Sequence, residues 1–283
     1  MPDNNKLHPL QSEGVVDYHC HCDYSIDAEG TIDEYCEAAV KRNLAEICFT
    51  THYDTNPNSG GEVEFIRVKG ELKPVTPDNL APYVDDVRRA AEKYYSLGLS
   101  VKVGVEIGWY EGCEEIVKNL KDRFALDYVL CGIHELEDVC FCCSHGVDKC
   151  FSRYSAEQMV EVYFGEVKKA AESRLFDTIA HLSYYLRSGI DYYGENITTI
   201  HRPFLQETFK ALVASSTGIE VNTSARRHGL SDYYPPVEII NAARKSGVEV
   251  RFLGSDAHLP DQVGFDFEGA LALIPSMIRG CED

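Results

Sequence analysis

The feature that most constrains the fold of this chain is an alternation of short apolar segments with longer amphipathic ones, repeated along its 283 residues. Short apolar runs bounded by turn residues are typical of buried strands, and apolar residues at helical spacing indicate helices between them. The strands are predicted at 15–21, 45–52, 100–107, 127–134, 176–181, 218–222 and 248–258. The helices are predicted at 31–43, 77–97, 111–123, 155–173, 200–215, 236–246 and 266–278. Strands that alternate with helices indicate a parallel, barrel-like α/β fold.

Histidines mark the ends of these strands. Side chains alternate between the faces of a strand, so His19 and His21 point the same way from the end of the first one. A single His-x-His pair is a weak signal, and two core or surface histidines explain it equally well. The chain has ten histidines, and six of them fall at predicted strand ends, which favours a shared site. These six are His19, His21, His52, His134, His181 and His258.

Three carboxylates accompany the histidines. Asp27 follows the first strand, Glu106 lies near the end of the third, and Asp256 lies at the end of the seventh. Imidazole and carboxylate together suit Zn, Mn or Fe better than Mg or Ca. Nine candidate ligands are too many for one ion, so we predict two or three divalent transition metals. Such a cluster acidifies a bridging water and holds both the attacking and the leaving oxygen of a phosphate ester.

The charge of the chain restricts its partners. The formal net charge is −19, which disfavours nucleic acid and anionic membranes, because phosphate backbones are bound by clustered lysines and arginines. No apolar run approaches the about 18 residues needed to cross a bilayer. The first residues lack the basic and then apolar pattern of a signal peptide, so we expect a cytoplasmic protein. A small phosphorylated substrate remains compatible, because metals supply local positive charge.

The eleven cysteines are expected to be reduced thiols, many of them buried. Their number is odd, and the chain is too large for a small disulfide-stapled domain. A zinc site is an alternative for one segment, although paired C-x-x-C hooks are missing from it. Its residues are Cys140, Cys142, Cys143, His145 and Cys150.

We expect a single domain over residues 1–283, because no linker, repeat or low-complexity tract divides the chain. Residues 1–14 are predicted to form an N-terminal arm, and 53–77 and 137–154 to be loop insertions. The first insertion holds Asn, Gly and Pro clusters around a short β-like piece, and we interpret it as an excursion or lid over the strand ends. Residues 182–199 are predicted to be a polar, tyrosine-rich connection.

Taken in chain order, the motifs at the strand ends resemble those of the PHP (polymerase and histidinol phosphatase) superfamily, and within it the histidinol-phosphatase branch. The likeness extends from about residue 15 to about residue 270. The matching motifs are Asp-Tyr-His-Cys-His-Cys-Asp with Asp27, Phe-Thr-Thr-His, Gly-Val-Glu, Cys-Gly-Ile-His, Ile-Ala-His and Gly-Ser-Asp-Ala-His.

The resemblance implies a distorted (β/α)7 TIM-like barrel with its active site at the C-terminal ends of the strands. It also implies a trinuclear metal site in which a hydroxide between metals attacks phosphorus and the alcohol leaves. One metal takes His19, His21, Glu106 and Asp256. A second shares Glu106 and adds His134 and His181. The third takes Asp27, His52 and His258.

The branch assignment rests on Glu-Val-Asn-Thr-Ser-Ala-Arg-Arg at 220–227 and a Tyr-Tyr-Pro turn after it. Arg227 and Arg187 match basic positions of the branch, and guanidinium groups suit phosphate oxygens. Arg226 is a further candidate for phosphate binding. His228 is a candidate acid for the leaving alkoxide, although a metal-bound water could serve equally well. The sequence departs from the branch at Ser183-Tyr184 and at Ala225-Arg226, which shape the substrate pocket.

The resemblance therefore implies a phosphoric monoester hydrolase that converts L-histidinol phosphate to L-histidinol and phosphate in histidine biosynthesis. Another small phosphomonoester is the alternative substrate. A nuclease on the same barrel is disfavoured by the acidic charge and by the lack of a basic stripe. A metal store or regulator without catalysis would need all nine ligands and no open position. The sequence leaves the oligomeric state undetermined.

Overall fold

The computed structural model describes residues 14–59 and 65–273. The predicted arm at 1–14 lies outside them except for Gly14. The strands are β1 Val16–Cys20, β2 Glu46–His52, β3 Phe65–Val68, β4 Glu71–Pro74, β5 Ser100–Gly108, β6 Tyr128–Gly132, β7 Glu135–Leu136, β8 Val139–Cys140, β9 Thr178–Ile179, β10 Gly218–Asn222 and β11 Val250–Gly254. The α-helices are α1 Ile32–Lys41, α2 Pro77–Tyr95, α3 Glu114–Phe124, α4 Val147–Phe151, α5 Ala156–Glu172, α6 Leu186–Tyr193, α7 Ile197–Ile200, α8 Leu205–Ser215, α9 Ser224–Arg227, α10 Val237–Lys245 and α11 Phe267–Leu273.

Seven of the strands close into a parallel barrel in the order β1-β11-β10-β9-β6-β5-β2. Each neighbouring pair is parallel, as β2 and β5 show over seven consecutive residue pairs. The sequence-based prediction of a seven-stranded α/β barrel is confirmed. β3 pairs with β4, and β7 with β8, as two small antiparallel sheets outside the barrel.

Aromatic side chains fill the interior of the barrel. Tyr18 on β1 stacks on Phe252 of β11, with ring centroids 3.7 Å apart, and meets Tyr128 of β6 edge-on at 5.0 Å. Since β1 and β6 are not neighbours in the barrel, their side chains can meet only through its interior. This aromatic cluster closes the barrel below the strand ends.

A register shift in β1 separates this packing from the functional end of the strand. Asp17 is opposite Ile47, whereas Cys20 is opposite Phe49, so β1 carries one extra residue against β2. Such a bulge interrupts the alternation of side chains. It allows Tyr18 to pack inside the barrel while His19, the next residue, faces the site at its end.

The helices that surround the barrel begin with local capping signals. Thr31 and Glu34 form a capping box at the start of α1, and Ser155 and Gln158 form one at the start of α5. These reciprocal hydrogen bonds satisfy N–H groups that the first helical turn leaves free. Helices predicted at 31–43 and 155–173 therefore begin within one residue of their expected positions.

The structure corrects the sequence-based elements in three places. The predicted connection at 182–199 contains α6 and most of α7, helices of eight and four residues that are too short to stand out among the polar residues around them. The fifth barrel strand is only Thr178–Ile179, because His181 takes a φ of +30° and turns the chain. The β-like piece in the first insertion is a hairpin of β3 and β4. Of the predicted final helix, the part after residue 273 lies outside the described residues.

Within residues 14–59 and 65–273, none of the helices is both long and apolar enough to cross a membrane.

Candidate active site

The structure brings the nine candidate ligands together at the C-terminal end of the barrel. His52 is the last residue of β2, and Glu106 lies near the end of β5. The others follow β1, β6, β9 and β11 in the loops that leave the barrel, except His19, which lies within β1. Because the carboxyl ends of parallel strands meet at one end of the barrel, side chains distant in sequence converge there.

Glu106 lies at the centre of this group and is fully buried. Its Oε2 atom is 3.2 Å from His19 Nε2, 3.4 Å from His21 Nε2 and 3.1 Å from His52 Nδ1. Its Oε1 atom is 2.9 Å from His181 Nε2 and 3.3 Å from His134 Nε2. A single carboxylate therefore faces five imidazole rings, which is a position suited to bridging cations.

The donor atoms also face one another in a manner that fits bound metals. The Nε2 atoms of His19 and His21 are 3.1 Å apart, and those of His134 and His181 are 3.4 Å apart. Three groups of three donors have all their ligand atoms within 4.8 Å of one another. These groups are His19, His21 and Asp256; His19, Glu106 and His181; and His21, His52 and His258. The first lies within one predicted ligand set, and each of the others combines members of two sets.

Several of the imidazoles are oriented by a contact at their other ring nitrogen. His19 Nδ1 lies 3.0 Å from Glu220 Oε1, and His21 Nδ1 lies 3.3 Å from the Ser25 hydroxyl. His258 Nδ1 lies 3.0 Å from the carbonyl oxygen of Asp256. Contacts of this kind fix the ring and its tautomer, so that the opposite nitrogen is free to bind metal.

Glu220 is a functional residue that the sequence reasoning quoted within a motif but gave no role. Besides His19, its Oε1 atom accepts hydrogen bonds from the His181 backbone N–H at 2.6 Å and from Asn222 Nδ2 at 2.8 Å. It is almost completely buried. A carboxylate within the otherwise apolar strand Gly-Ile-Glu-Val-Asn was the available signal, since buried charges need partners.

Asp256 is held from several directions. Its Oδ1 atom lies 3.4 Å from His21 Nε2, and Ser224 donates to Oδ2 at 3.1 Å. Its backbone has a φ of +52°, which is uncommon for a residue other than glycine and is found at functional sites. The guanidinium group of Arg227 clamps this turn by donating to the carbonyls of Ser255 at 2.7 Å and Asp256 at 2.6 Å.

Asp27 lies at the open edge of the site, with its side chain half exposed. Its Oδ2 atom is 3.2 Å from His258 Nε2 and 3.5 Å from His52 Nε2. The loop that carries it is held by Arg67 of β3. The Arg67 guanidinium donates to four carbonyl oxygens of this loop, at 2.7–3.0 Å. The first insertion therefore buttresses the Asp27 loop, a contact that its polar composition did not indicate.

Glycine is required where the strands pass closest to the site. A Cβ atom at Gly132 would lie 2.4 Å from His134 Nε2 and 2.8 Å from Glu106 Oε1. Both distances are shorter than nonbonded atoms tolerate. The glycine of the Cys-Gly-Ile-His motif therefore leaves room for the donor groups themselves.

The carboxylates and imidazoles shift one another's pKa values. Burial disfavours a charge on Glu106, but His19 and His134 outweigh it and hold the pKa of Glu106 well below its usual range. Burial likewise opposes protonation of His134, yet Glu106 and Asp54 raise its pKa to about 10. His21 differs, because burial and then His52 and His258 lower its pKa to about 3. His21 is therefore a neutral imidazole at pH 7, whereas His134 holds a proton that a metal must displace.

A second group of side chains, which we call the mouth residues, borders the donors. It consists of Tyr184, Arg187, His228 and Tyr234. The Tyr184 ring lies 4.3 Å from that of His181 and 5.2 Å from that of Tyr234, and Arg187 donates to the Tyr184 hydroxyl. His228 Nδ1 is 3.3 Å from the Tyr234 hydroxyl. Burial, and then the charge of Arg187, lowers the pKa of His228 to about 4.

The remaining sequence candidates have other partners. Arg226 is exposed, donates to the carbonyl of Ser231 at 2.7 Å, and lies 3.5 Å from Asp266. Among the described residues, no group of three mutually close donors includes a cysteine. The ten described cysteines are free thiols, as the composition predicted.

Comparison with known proteins shows which proteins this chain is similar to over most of its length. The PHP domain family matches residues 17–224. A protein named "Probable histidinol-phosphatase" from Deinococcus radiodurans is 28% identical over 259 residues, which cover 91% of this chain and 92% of that protein. The "Histidinol-phosphatase" of Lactococcus lactis is 24% identical over 260 residues, which cover 92% of this chain and 90% of the relative.

The fold is also similar to that of a solved structure. Histidinol phosphate phosphatase from Lactococcus lactis, crystallised with zinc, L-histidinol and phosphate, superposes with a TM-score of 0.74. The alignment covers 93% of this chain and 94% of that one, at 19% sequence identity. At this identity the similarity establishes a shared fold.

Proposed function

Because the chain belongs to the PHP domain family, we propose that it is a metal-dependent phosphomonoesterase that hydrolyses L-histidinol phosphate to L-histidinol and phosphate. The observation that carries the proposal is the Glu106 carboxylate facing five imidazole nitrogens at the end of the barrel. The names of the relatives, and the L-histidinol and phosphate bound to the Lactococcus lactis enzyme, support the choice of substrate.

The donor set would hold two or three divalent ions of zinc, manganese or iron. We keep the three ligand sets that the family resemblance implies, with Glu106 shared between two of them. The nine ligands are His19, His21, Asp27, His52, Glu106, His134, His181, Asp256 and His258. When bound, such ions supply Lewis acidity and lower the pKa of coordinated water. Glu106 and Asp256 are the candidate catalytic carboxylates. The contact with Glu220 would orient His19 for metal binding.

Arginines near the donors would bind the non-bridging phosphate oxygens. Arg187 borders the mouth, where its charge lowers the pKa of His228. Arg227 uses two N–H groups on the carbonyls of Ser255 and Asp256, and a guanidinium has five donors, so it can still offer N–H groups to substrate. Arg226 is the weaker candidate, because its guanidinium pairs with Asp266.

The mouth residues would receive the leaving alcohol. Tyr184 and Tyr234 are buried, so they would form the wall of the mouth and position Arg187 and His228, which contact their hydroxyls, for the leaving alcohol. His228 is neutral at pH 7 in the structure as described. Its role as the acid for the alkoxide therefore requires the negative charge of bound phosphate to raise its pKa.

Acidic side chains lie on the loops beside the mouth and would attract the ammonium group of the substrate. Asn56 donates to Glu135 at 2.6 Å and to Asp138 at 3.0 Å. Asp54 lies between these loops and His134, 3.8 Å from His134 Nδ1. Asp54 and Asp138 belong to the two predicted insertions, and Glu135 lies just before the second, so the insertions would contribute to substrate recognition. Free thiols fit a reducing cytoplasm as the compartment of this reaction.

A phosphate-release assay tests the proposal. The purified protein is given L-histidinol phosphate, other amino-alcohol phosphates, p-nitrophenyl phosphate and a phosphodiester, each with zinc, manganese or iron(II). We expect the highest kcat/KM with L-histidinol phosphate and negligible cleavage of the diester. His21→Ala serves as the inactive control, and His145→Ala, outside the donor set, as the matched active one. A higher kcat/KM with another monoester would replace L-histidinol phosphate as the proposed substrate. Cleavage of the diester alone would refute the proposed phosphomonoesterase activity.

A further inference from the structure

Three thiols that the proposed reaction does not use lie together at the end of β8 and in the residues after it. Cys140 ends that strand, and its Sγ atom is 3.3 Å from the Sγ atom of Cys142. The backbone N–H of Cys143 donates to Cys140 Sγ at 3.2 Å. Cys140, Cys142 and Cys143 are all partly exposed, whereas the other seven described cysteines are buried. Among the described cysteines, these three are therefore the ones that lie near the surface.

The surroundings of Cys140 favour its thiolate form. The Cys143 backbone N–H donates to its sulfur, and the Cys142 thiol lies within hydrogen-bond distance of it. Hydrogen bonds to the charged form of a group stabilise that form. These contacts, that of Cys142 first, lower the pKa of Cys140 to about 6. The pKa of Cys142 is raised, first by its hydrogen bond to Cys140. Of the two thiols, Cys140 is therefore the one whose surroundings favour the nucleophilic thiolate.

We propose that Cys140 and Cys142 form a peroxide-reactive dithiol that closes to a disulfide. The Cys140 thiolate attacks one oxygen of hydrogen peroxide, the O–O bond breaks, and hydroxide leaves, which gives the sulfenic acid of Cys140. The Cys142 sulfur then attacks the sulfenic sulfur, and water forms from the sulfenic hydroxyl and the Cys142 proton. The two sulfurs are oxidised by two electrons in total, and the peroxide is reduced to one water and one hydroxide, which becomes a second water by taking up the proton that Cys140 released on ionising.

The geometry favours a disulfide over a metal site made of the same thiols. Two thiolates on a tetrahedral zinc lie about 3.8 Å apart, as bonds of about 2.3 Å require, whereas these sulfurs are already at 3.3 Å. Forming the bond brings them to about 2.05 Å. The chain bends over residues 141–143, and this bend leaves the two sulfurs facing each other. The dithiol is also close to the site, since Phe141 between the cysteines donates to the His134 carbonyl at 3.1 Å.

Mass spectrometry of the protein as isolated tests the proposal without any substitution. After one equivalent of hydrogen peroxide at neutral pH and alkylation of free thiols, we expect the peptide spanning 140–143 to lose two hydrogens and to retain one alkylated cysteine, Cys143. Dithiothreitol should restore both thiols. The seven buried cysteines should remain reduced, so their peptides should lose no hydrogens. They should react with the alkylating reagent only after the protein is unfolded.

Variants then assign the two roles. Cys142→Ser should trap the sulfenic acid at Cys140, seen as a dimedone adduct, and Cys140→Ser should slow peroxide consumption by about tenfold or more. Cys143→Ser is the matched control and should still form the disulfide. A disulfide between Cys140 and Cys143, or no disulfide at all, would overturn the proposal. So would a Cys140→Ser, Cys142→Ser double variant that binds one zinc fewer than the wild type, because that result indicates a metal site.

Discussion

Glu220→Gln provides a specific test of how the site is oriented. The Glu220 carboxylate, at 3.0 Å from His19 Nδ1, also accepts from the His181 N–H at 2.6 Å and from Asn222 Nδ2 at 2.8 Å. Glutamine keeps the shape and one acceptor oxygen, but its amino group cannot accept from a donor on His19. Losing one charge-assisted hydrogen bond costs about 1.5–3 kcal/mol. That corresponds to about tenfold to 150-fold in metal affinity, which agrees with the effect of groups that orient metal ligands.

The assay is competitive chelation, which gives the metal affinity, followed by turnover at saturating metal. We expect Glu220→Gln to bind metal about tenfold to 150-fold more weakly and to recover part of its turnover when metal is in excess. Glu46→Gln is the matched control, since Glu46 lies at the opposite end of β2 and accepts from Tyr18 and Ser100. Equal metal affinities in Glu220→Gln and the wild type would refute the orienting role of Glu220.

Three further changes test the packing, protonation and support of the site. Gly132→Ala, whose new Cβ would lie 2.4 Å from His134 Nε2, should lower turnover by about a hundredfold or more, while Gly165→Ala, in open space on α5, should leave turnover unchanged. The pKa of metal-free His134 is raised to about 10, so a metal that binds there must displace a proton. Metal affinity should therefore rise with pH and fall as pH is lowered, and a metal affinity that does not change with pH in a chelator titration would contradict this. Arg67→Lys keeps the charge, but a lysine cannot reach the four carbonyls that Arg67 contacts. The variant should bind metal more weakly, through Asp27, with little change in Tm. Unchanged metal content and turnover would refute the role of Arg67.

The part of the site that follows from strand periodicity was predictable from the sequence. His19, His52 and Glu106 lie at strand ends, and a parallel barrel brings all such ends to one rim, so their proximity required no knowledge of side-chain packing. The number and direction of the barrel strands followed from the same alternation.

The contacts that orient those ligands were not predictable in this way. Glu220 meets His19 across 201 residues of sequence, and neither residue's local pattern indicates the other. Arg67 lies in a polar insertion, where its neighbours gave no sign that its guanidinium would cap the carbonyls of the Asp27 loop. The β9 strand is shorter than predicted because the positive φ of His181 is imposed by the site rather than by local propensity.

The central claim is that the nine donors hold metal ions on which phosphomonoester hydrolysis depends. Its most direct test is a titration of metal into chelated protein, with bound metal and phosphate release from L-histidinol phosphate measured on the same sample. We predict that chelation abolishes release and that release returns in step with the second or third ion bound per chain. Full release from metal-free protein, or complete metal loading without release from any phosphomonoester, would contradict the account.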